Sequence, residues 1–349
     1  MKLIIQIPCL NEAATLPTTL ADLPRSVPGF DTVEWLVIDD GSTDGTARVA
    51  RGAGVDHILR FNANKGLAVA FQAGMDACLK LGADVIVNTD ADNQYCGEDV
   101  LRLVEPILAR RADMVIGDRQ VQSHPEFSRT KKTLQRLGSW VVRRASGTEV
   151  PDATSGFRAY TRDAALRLNV VSSFSYTLET LIQAGKSDIA VVSVPVRTNP
   201  KTRESRLFKS TFEYVKRSVG TILRIWTMYG PLPAFLLPAL IFGVVGAGLV
   251  GRFLWHYFFT PGPTGHVQSV VLGAALLIVG FMLVMLGIIS DMLRANRVLT
   301  ERTLHRVRHI ELALGVPPDV SLEDVAAEEH LAEERRGARS VPAGHSSTG

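Results

Sequence analysis

The sequence predicts an α/β domain with a mostly parallel, doubly wound sheet, followed by two membrane-spanning helices. Two observations predict it. Short apolar runs alternate with helical patterns through roughly the first 205 residues, and alternation at this spacing argues for a parallel sheet with helices on its faces. The apolar excess of the 349-residue chain, visible as a mean hydropathy of +0.14, then falls in two late blocks.

The runs LIIQI (3–7), WLVI (35–38), HILRF (57–61), DVIVNT (84–89) and DMVIGD (113–118) predict strands. Between them, residues 16–23, 46–53, 66–81 and 98–110 carry the helical pattern. Further on, Leu207, Phe212, Val215, Val219, Ile222 and Trp226 recur at helical spacing, with Lys209, Lys216 and Arg217 among the polar positions. That pattern suits a helix in the membrane interface, and the same stripe also suits packing on the globular domain.

The first apolar block, 231–259, contains one charge, Arg252, beside Trp255, His256 and Tyr257. The second, 267–290, contains none. About 20 apolar residues cross a ~30 Å hydrocarbon core, so both are long enough. Buried core helices are the alternative, but these are usually shorter and keep a polar stripe. Arg252 is expected to snorkel to an aromatic-lined interface. Lys209, Lys216, Arg217 and Arg224 precede the first block, and Arg294, Arg297, Arg302, Arg306 and Arg308 follow the second. The loop 260–266 has neither Lys nor Arg, so the positive-inside rule puts both termini in the cytosol. The expected divisions are a globular domain (1–206), an amphipathic interfacial helix (207–230), a multi-pass hairpin (231–293) and a tail (294–349). The acidic run Glu328, Glu329, Glu333 and Glu334 predicts a solvated helix in that tail, followed by disorder.

Composition excludes several classes. With 46% hydrophobic and 21% charged residues the chain is too apolar for disorder, and a net charge of +3 argues against a nucleic-acid binder. Cys9, Cys78 and Cys96 form neither a disulfide framework nor a CxxC metal site, which suits a reducing cytosol. The N-terminal apolar run is too short for a signal peptide.

Ligands of doubly wound sheets bind beyond the carboxyl ends of the strands. The polar residues there are Pro8, Asn11 and Glu12, then Asp39 and Asp40, then Asp90 and Asp92, then Asp118 and Arg119. A calcium loop opening at Asp40 fails, because its twelfth position is Arg51. A helix-capping turn remains open there. Asn64-Lys65-Gly66 lacks the pattern of a P-loop. Asp90-Ala-Asp92-Asn-Gln94 places two carboxylates two residues apart after an apolar strand. A hard divalent cation offsets the cost of burying them, and a solvated loop is the plain alternative.

Taken in order, IPCLNEA (7–13), VIDDGSTDGT (37–46), NANKG (62–66), NTDADNQY (88–95), IGDR (116–119), DATSGFRAY (152–160) and TRESRL (202–207) resemble the family 2 glycosyltransferases of GT-A fold. Within them, the resemblance is to the polyprenyl-phosphate (dolichol-phosphate mannose synthase-like) group. The match covers roughly residues 1–207. It implies a nucleotide site of Pro8, Asn11, Glu12, Asp39, Asp40, Lys65 and Asp90. It also implies Mg²⁺ or Mn²⁺ on Asp90, Asp92 and Gln94, and a catalytic centre of Asp152, Arg119 and Arg158. Arg203, Ser205 and Arg206 stand in the acceptor-phosphate motif. The implied partners are a GDP- or UDP-linked sugar, polyprenyl phosphate and the bilayer, with inversion at the anomeric carbon. Whether the hairpin forms a homo-oligomer stays open.

Three departures matter. The acceptor motif commonly reads Gly-x-Ser-Lys where this chain has Arg203-Glu-Ser205-Arg206, and Leu-Gln commonly stands where Asn93-Gln94 does. The Gln-x-x-Arg-Trp motif of processive synthases is absent, which favours single transfer. Asp152 reads as a general base if the acceptor is a hydroxyl. A phosphate acceptor is already ionised and needs cations instead, which Arg119, Arg158, Arg203 and Arg206 supply. A glycosyltransferase with another lipid or glycan acceptor, and an inactive membrane scaffold, are the competing readings.

Overall fold

The computed structural model describes residues 1–120, 143, 146–170, 176–187, 189–200, 230–259, 267–318 and 322–324. Arg203, Ser205, Arg206, the expected interfacial helix up to Tyr229, the loop 260–266 and the acidic run of the tail lie outside the described residues.

The chain divides into two compact units, Met1–Thr211 with His305–Gly349, and Phe212–Leu304. In the first unit the strands are β1 (Lys2–Cys9), β2 (Thr32–Asp39), β3 (His57–Arg60), β4 (Val85–Asn88), β5 (Met114–Asp118), β6 (Arg158–Thr161), β7 (Val191–Pro195) and β8 (Leu322–Asp324). Its helices are α1 (Leu16–Asp22), α2 (Thr46–Gly52), α3 (Leu67–Lys80), α4 (Val100–Leu108), α5 (Arg162–Arg167) and α6 (Tyr176–Lys186). Among the described residues the sheet order is β7-β5-β6-β4-β1-β2-β3-β8. The pairings of β1 with β2 and β4, of β2 with β3 and of β5 with β7 are parallel. β6 runs antiparallel between β4 and β5, and β8 antiparallel to β3.

The central strands read as continuous apolar runs because helices cover both faces. Leu3, Ile4, Ile5 and Ile7 of β1 are all fully buried. Chain order reverses at β1, which lies between β2 and β4. That is a topological switch point, where ligands of such sheets bind beyond the strand ends. Pro8, Asp39 and Asp90 all stand at that end.

The second unit contains α7 (Pro231–Phe259) and α8 (Val267–Leu314) up to Leu304. Both helices are long and apolar enough to cross a membrane. Small residues lie inside this pair, and large apolar residues face outward. Ala239, Gly246, Gly273, Gly280 and Gly287 are buried, whereas Leu240, Val244, Phe281 and Met282 are more than half exposed. A Cβ on Gly273 would lie 2.9 Å from Gly246 O, so the backbones approach as close as glycine allows. A soluble helix pair would bury its large side chains instead.

The tail departs from expectation. The second apolar helix continues past residue 290 to Leu314, since hydropathy marks where lipid ends and not where a helix does. It stops at Gly315, whose φ of +66° is left-handed, just before Pro317 and Pro318. From His305 on, the chain belongs to the first unit. Arg308 donates to Leu168 O at 2.8 Å, Lys80 Nζ donates to Pro317 O at 3.0 Å, and Arg51 pairs with Glu323. β8 then covers the edge of β3, where an exposed row of unpaired backbone groups would invite aggregation.

Candidate active site

The loops after β1 and β2 brace each other. Asn11 sits in the left-handed region at φ 55°, where Asn is tolerated. Its N–H donates to Ser42 Oγ at 2.9 Å, and its Oδ1 accepts from Thr43 N–H at 2.9 Å. The buried Glu12 donates its N–H to Thr46 Oγ1 at 3.0 Å, and its Oε2 accepts from Thr15 Oγ1 at 2.6 Å. Asp44 accepts from Ala13 N–H and Thr46 N–H, both at 3.0 Å. Asp44 thus makes a local turn onto Thr46, the first residue of α2, and bridges the two loops, while the N-cap position itself is Gly45 and has no side-chain cap.

Asp39 and Asp40 are buried and differ in their commitments. Asp39 Oδ1 accepts from Ser42 N–H at 2.8 Å and Oδ2 faces Arg60 Nε at 3.3 Å. Asp39 also lines a small cavity with Ser42, Thr46, Arg48, Arg51 and Arg60. Asp40 spends its two oxygens on the N–H groups of Lys65 and Gly66, at 2.7 and 2.9 Å. These bonds shape the 61–66 loop. The turn after Asp40 requires glycine. Gly41 has φ 73°, and a Cβ there would meet the Ala63–Asn64 backbone at 2.6–2.9 Å. The exposed Lys65 holds its ammonium 4.7 Å from the Phe61 ring centre.

On the other side of β1, Asp90 and Asp92 follow β4. Burial and the charge of Asp92 push the Asp90 carboxyl up to about 7, against the opposing pull of Arg119 and Arg158. Asp92 Oδ1 accepts from Gln94 N–H at 3.1 Å. Two crowded carboxylates of this kind fit a hard divalent cation. Among the described residues no cluster of three or more His, Cys, Asp or Glu could hold a metal alone. The donor set therefore suits an ion that completes its shell with water and phosphate oxygens, as Mg²⁺ does. Gln94 Oε1 accepts from Arg119 Nη1 at 3.4 Å, so it faces the guanidinium.

Arg119, just past β5, grips Asp152. Nε donates to Oδ2 at 2.7 Å and Nη2 to Oδ1 at 3.0 Å, with a further bond from Nη2 to Thr154 Oγ1 at 2.9 Å. Burial works to raise the Asp152 carboxyl, but the guanidinium and the Thr154 hydroxyl outweigh it and hold the group below the usual range.

Arg158, expected in the catalytic centre, is fully buried. Its guanidinium donates to Ser155 O at 2.7 Å, Ala153 O at 2.8 Å, Thr177 O at 2.8 Å and Thr180 Oγ1 at 2.9 Å. It braces the 152–157 loop against α6.

Sequence reasoning passed over the residues that hold this loop against the Asp90 strand. Asn88, fully buried, donates to Gly156 O at 2.8 Å and to Tyr176 Oη at 3.1 Å, and accepts from Gln6 at 2.9 Å. Tyr95 Oη accepts from Gly156 N–H at 3.0 Å while its ring stacks on Phe157. Burial pushes the Tyr95 hydroxyl up to about 12, so it stays protonated. A signal for this layer exists in the sequence. Gln6 and Asn88 are polar residues inside apolar strand runs, and they are direct partners in the β1–β4 register.

The family model for glycosyl transferase family 2 matches residues 4–168. An undecaprenyl-phosphate mannosyltransferase from Micrococcus luteus is 33% identical over 207 residues, 56% of this chain and 83% of that protein. The glycosyltransferase AglJ of Haloferax volcanii is 27% identical over 88% of this chain and 97% of its own length. A polyprenol monophosphomannose synthase from Mycolicibacterium smegmatis is 29% identical over 56% and 76%. Among solved structures, glucosyl-3-phosphoglycerate synthase from Mycobacterium tuberculosis, in complex with Mn²⁺ and uridine diphosphate, superposes with a TM-score of 0.51 at 19% identity. That superposition covers 66% of this chain and 80% of that one, and it supports the fold alone. Motif order, sheet topology and these likenesses agree: the chain belongs to glycosyltransferase family 2, with a GT-A catalytic domain and two long apolar helices after it.

Proposed function

We propose that this enzyme, anchored in the membrane by α7 and α8, transfers a hexose of the mannose or glucose type from a nucleotide sugar to a polyprenyl phosphate at the cytosolic face. The observation that carries the acceptor assignment is the Arg119–Asp152 pair. A hydroxyl acceptor needs a base to take its proton as the bond forms. Asp152, held ionised by two hydrogen bonds from one guanidinium, is a weak base. A phosphate monoester needs none, because its second pKa is about 6. The names of the Micrococcus luteus and Mycolicibacterium smegmatis relatives support the same acceptor class.

In this reading the β1–β2 side of the site, with Pro8, Asn11, Glu12, Asp39, Asp40 and Lys65, receives the nucleotide, and Asp40 also ties down the 61–66 loop. Asp90 and Asp92 hold Mg²⁺ or Mn²⁺ with Gln94 at the rim. When bound, the ion neutralises charge on the departing diphosphate. Arg119 keeps Asp152 and Gln94 in place beside the reacting centre. Arg203, Ser205 and Arg206 grip the acceptor phosphate, for which the two-pronged guanidinium is suited. The phosphate oxygen attacks in line, with inversion. Basic flanks on both sides of the hairpin support a cytosolic catalytic domain.

The test gives purified full-length protein a panel of radiolabelled GDP- and UDP-sugars with undecaprenyl phosphate, with and without EDTA. Label in the lipid extract for one donor, lost with EDTA, is expected. Turnover that persists in EDTA removes the metal, and label that never reaches lipid removes the acceptor.

A further inference from the structure

The residues after β7 cross over to the loop that carries Asp92. Thr198 forms an isolated β-bridge with Tyr95, and Asn199 N–H donates to Gln94 O at 2.9 Å. The Asn199 side-chain amide donates to Tyr95 O at 3.2 Å and to Asn93 Oδ1 at 3.4 Å. Asn93 stands between Asp92 and Gln94 with a left-handed φ of 55°, a turn conformation that Asn tolerates. The crossing segment is itself anchored. Arg197 N–H donates to Asp99 Oδ2 at 2.6 Å, and its Nε and Nη2 donate to Asp99 Oδ1 at 3.1 and 2.8 Å. Asp99 is fully buried, so this anchor is fixed on its protein side.

We propose that Asn199 is a positioning residue for the donor site: anchored by Arg197 on Asp99, it clasps the Asp92–Gln94 turn in the shape that receives a divalent cation with a nucleoside diphosphate. The proposal rests on the metal reading given above. Asn199 bonds all three residues from Asn93 to Tyr95, through two backbone carbonyls and one side chain. Without it the turn keeps its carboxylates and loses its fixed shape, and ligand groups need close placement to act together.

The test titrates Mn²⁺ into the full-length protein in detergent, with GDP or UDP present, and follows free Mn²⁺ by electron paramagnetic resonance. Asn199→Ala removes both side-chain bonds. Asn199→Asp keeps the shape but turns an acceptor toward two acceptors. Both variants should bind Mn²⁺ about three- to tenfold more weakly, as expected for lost neutral hydrogen bonds. Asn199 is only half-buried, so unfolding midpoints should move by less than about 3 °C. Asn199→Ser, which keeps a hydroxyl donor, should recover part of the affinity, and it serves if either other variant fails to fold. Wild-type binding with unchanged affinity in the variants overturns the clasp and leaves the metal reading standing. A wild type that binds no Mn²⁺ with either nucleotide overturns both.

Discussion

Arg119 and Asp152 form a two-pronged ion pair, 2.7 Å from Nε to Oδ2 and 3.0 Å from Nη2 to Oδ1, with the Asp152 side chain almost fully enclosed. Removing the guanidinium leaves a buried carboxylate without its main partner, which costs about 3–5 kcal/mol in comparable cases. Arg119→Ala is therefore expected to unfold at markedly lower denaturant and to lose transfer. Arg119→Lys should recover stability in part and activity less, because it keeps the charge without the fork. Denaturant melts and transfer rates on the same preparations check this. Wild-type stability in Arg119→Ala contradicts the account.

The same pair sets the pH dependence. The Asp152 carboxyl lies below its ordinary value in the folded protein, so its contribution to stability is fully present above about pH 4. It is lost as pH falls through the lowered folded value. Asp152 therefore contributes no limb to the activity profile between pH 5 and 8. With a saturating divalent cation holding Asp90 ionised, the limb expected there lies near pH 6, rises with pH and belongs to the acceptor phosphate. A kcat/KM profile that keeps this limb in Asp152→Asn, at reduced rate, matches the prediction. Its disappearance in the variant assigns it to the carboxylate.

Gly156 packs where no side chain fits. A Cβ there would lie 2.7 Å from Asp90 Oδ2 and 2.8 Å from Tyr176 Oη. Gly156→Ala should displace Asp90 and lower transfer by about a hundredfold, the usual scale for a misplacement near 1 Å. The fold should persist, because the buried layers of β1 and β2 are untouched. Circular dichroism and transfer assays separate the two effects, and near-wild-type transfer in the variant contradicts the placement.

The tail offers a milder test. Glu323→Lys sets a positive charge beside Arg51 in place of the native ion pair. Both partners are more than a third exposed, so solvent screening limits the loss to about 1 kcal/mol or less. Truncation after Val316 removes β8 and exposes the β3 edge, and aggregation at raised concentration is the expected sign. Light scattering of the two variants distinguishes edge protection from the ion pair.

The five strand runs of the sequence correspond to β1–β5, and its four helical patterns to α1–α4 with the short turn before α4. Uninterrupted apolar runs and helical periodicity are local signals, so they survive without tertiary context. β6 and β7 are four and five residues long and enter the sheet only through pairing with distant strands. β8 has three residues, LED, with no apolar pattern, and exists by pairing with β3. At the site, the chemical residue types were legible and their commitments were not. Arg158 and Asp40 carry the charges that ligand contacts need, yet both are engaged by neighbouring protein groups. Only the fold decides between those uses, since both depend on which loop lies within bonding distance.

The central claim is an acceptor that arrives already ionised. The direct measurement offers purified enzyme undecaprenyl phosphate and undecaprenol side by side with the active nucleotide sugar, and counts label in each lipid after separation. The account predicts label on undecaprenyl phosphate and none on undecaprenol. Label on undecaprenol, abolished by Asp152→Asn, would show a carboxylate base serving a hydroxyl acceptor and contradict it.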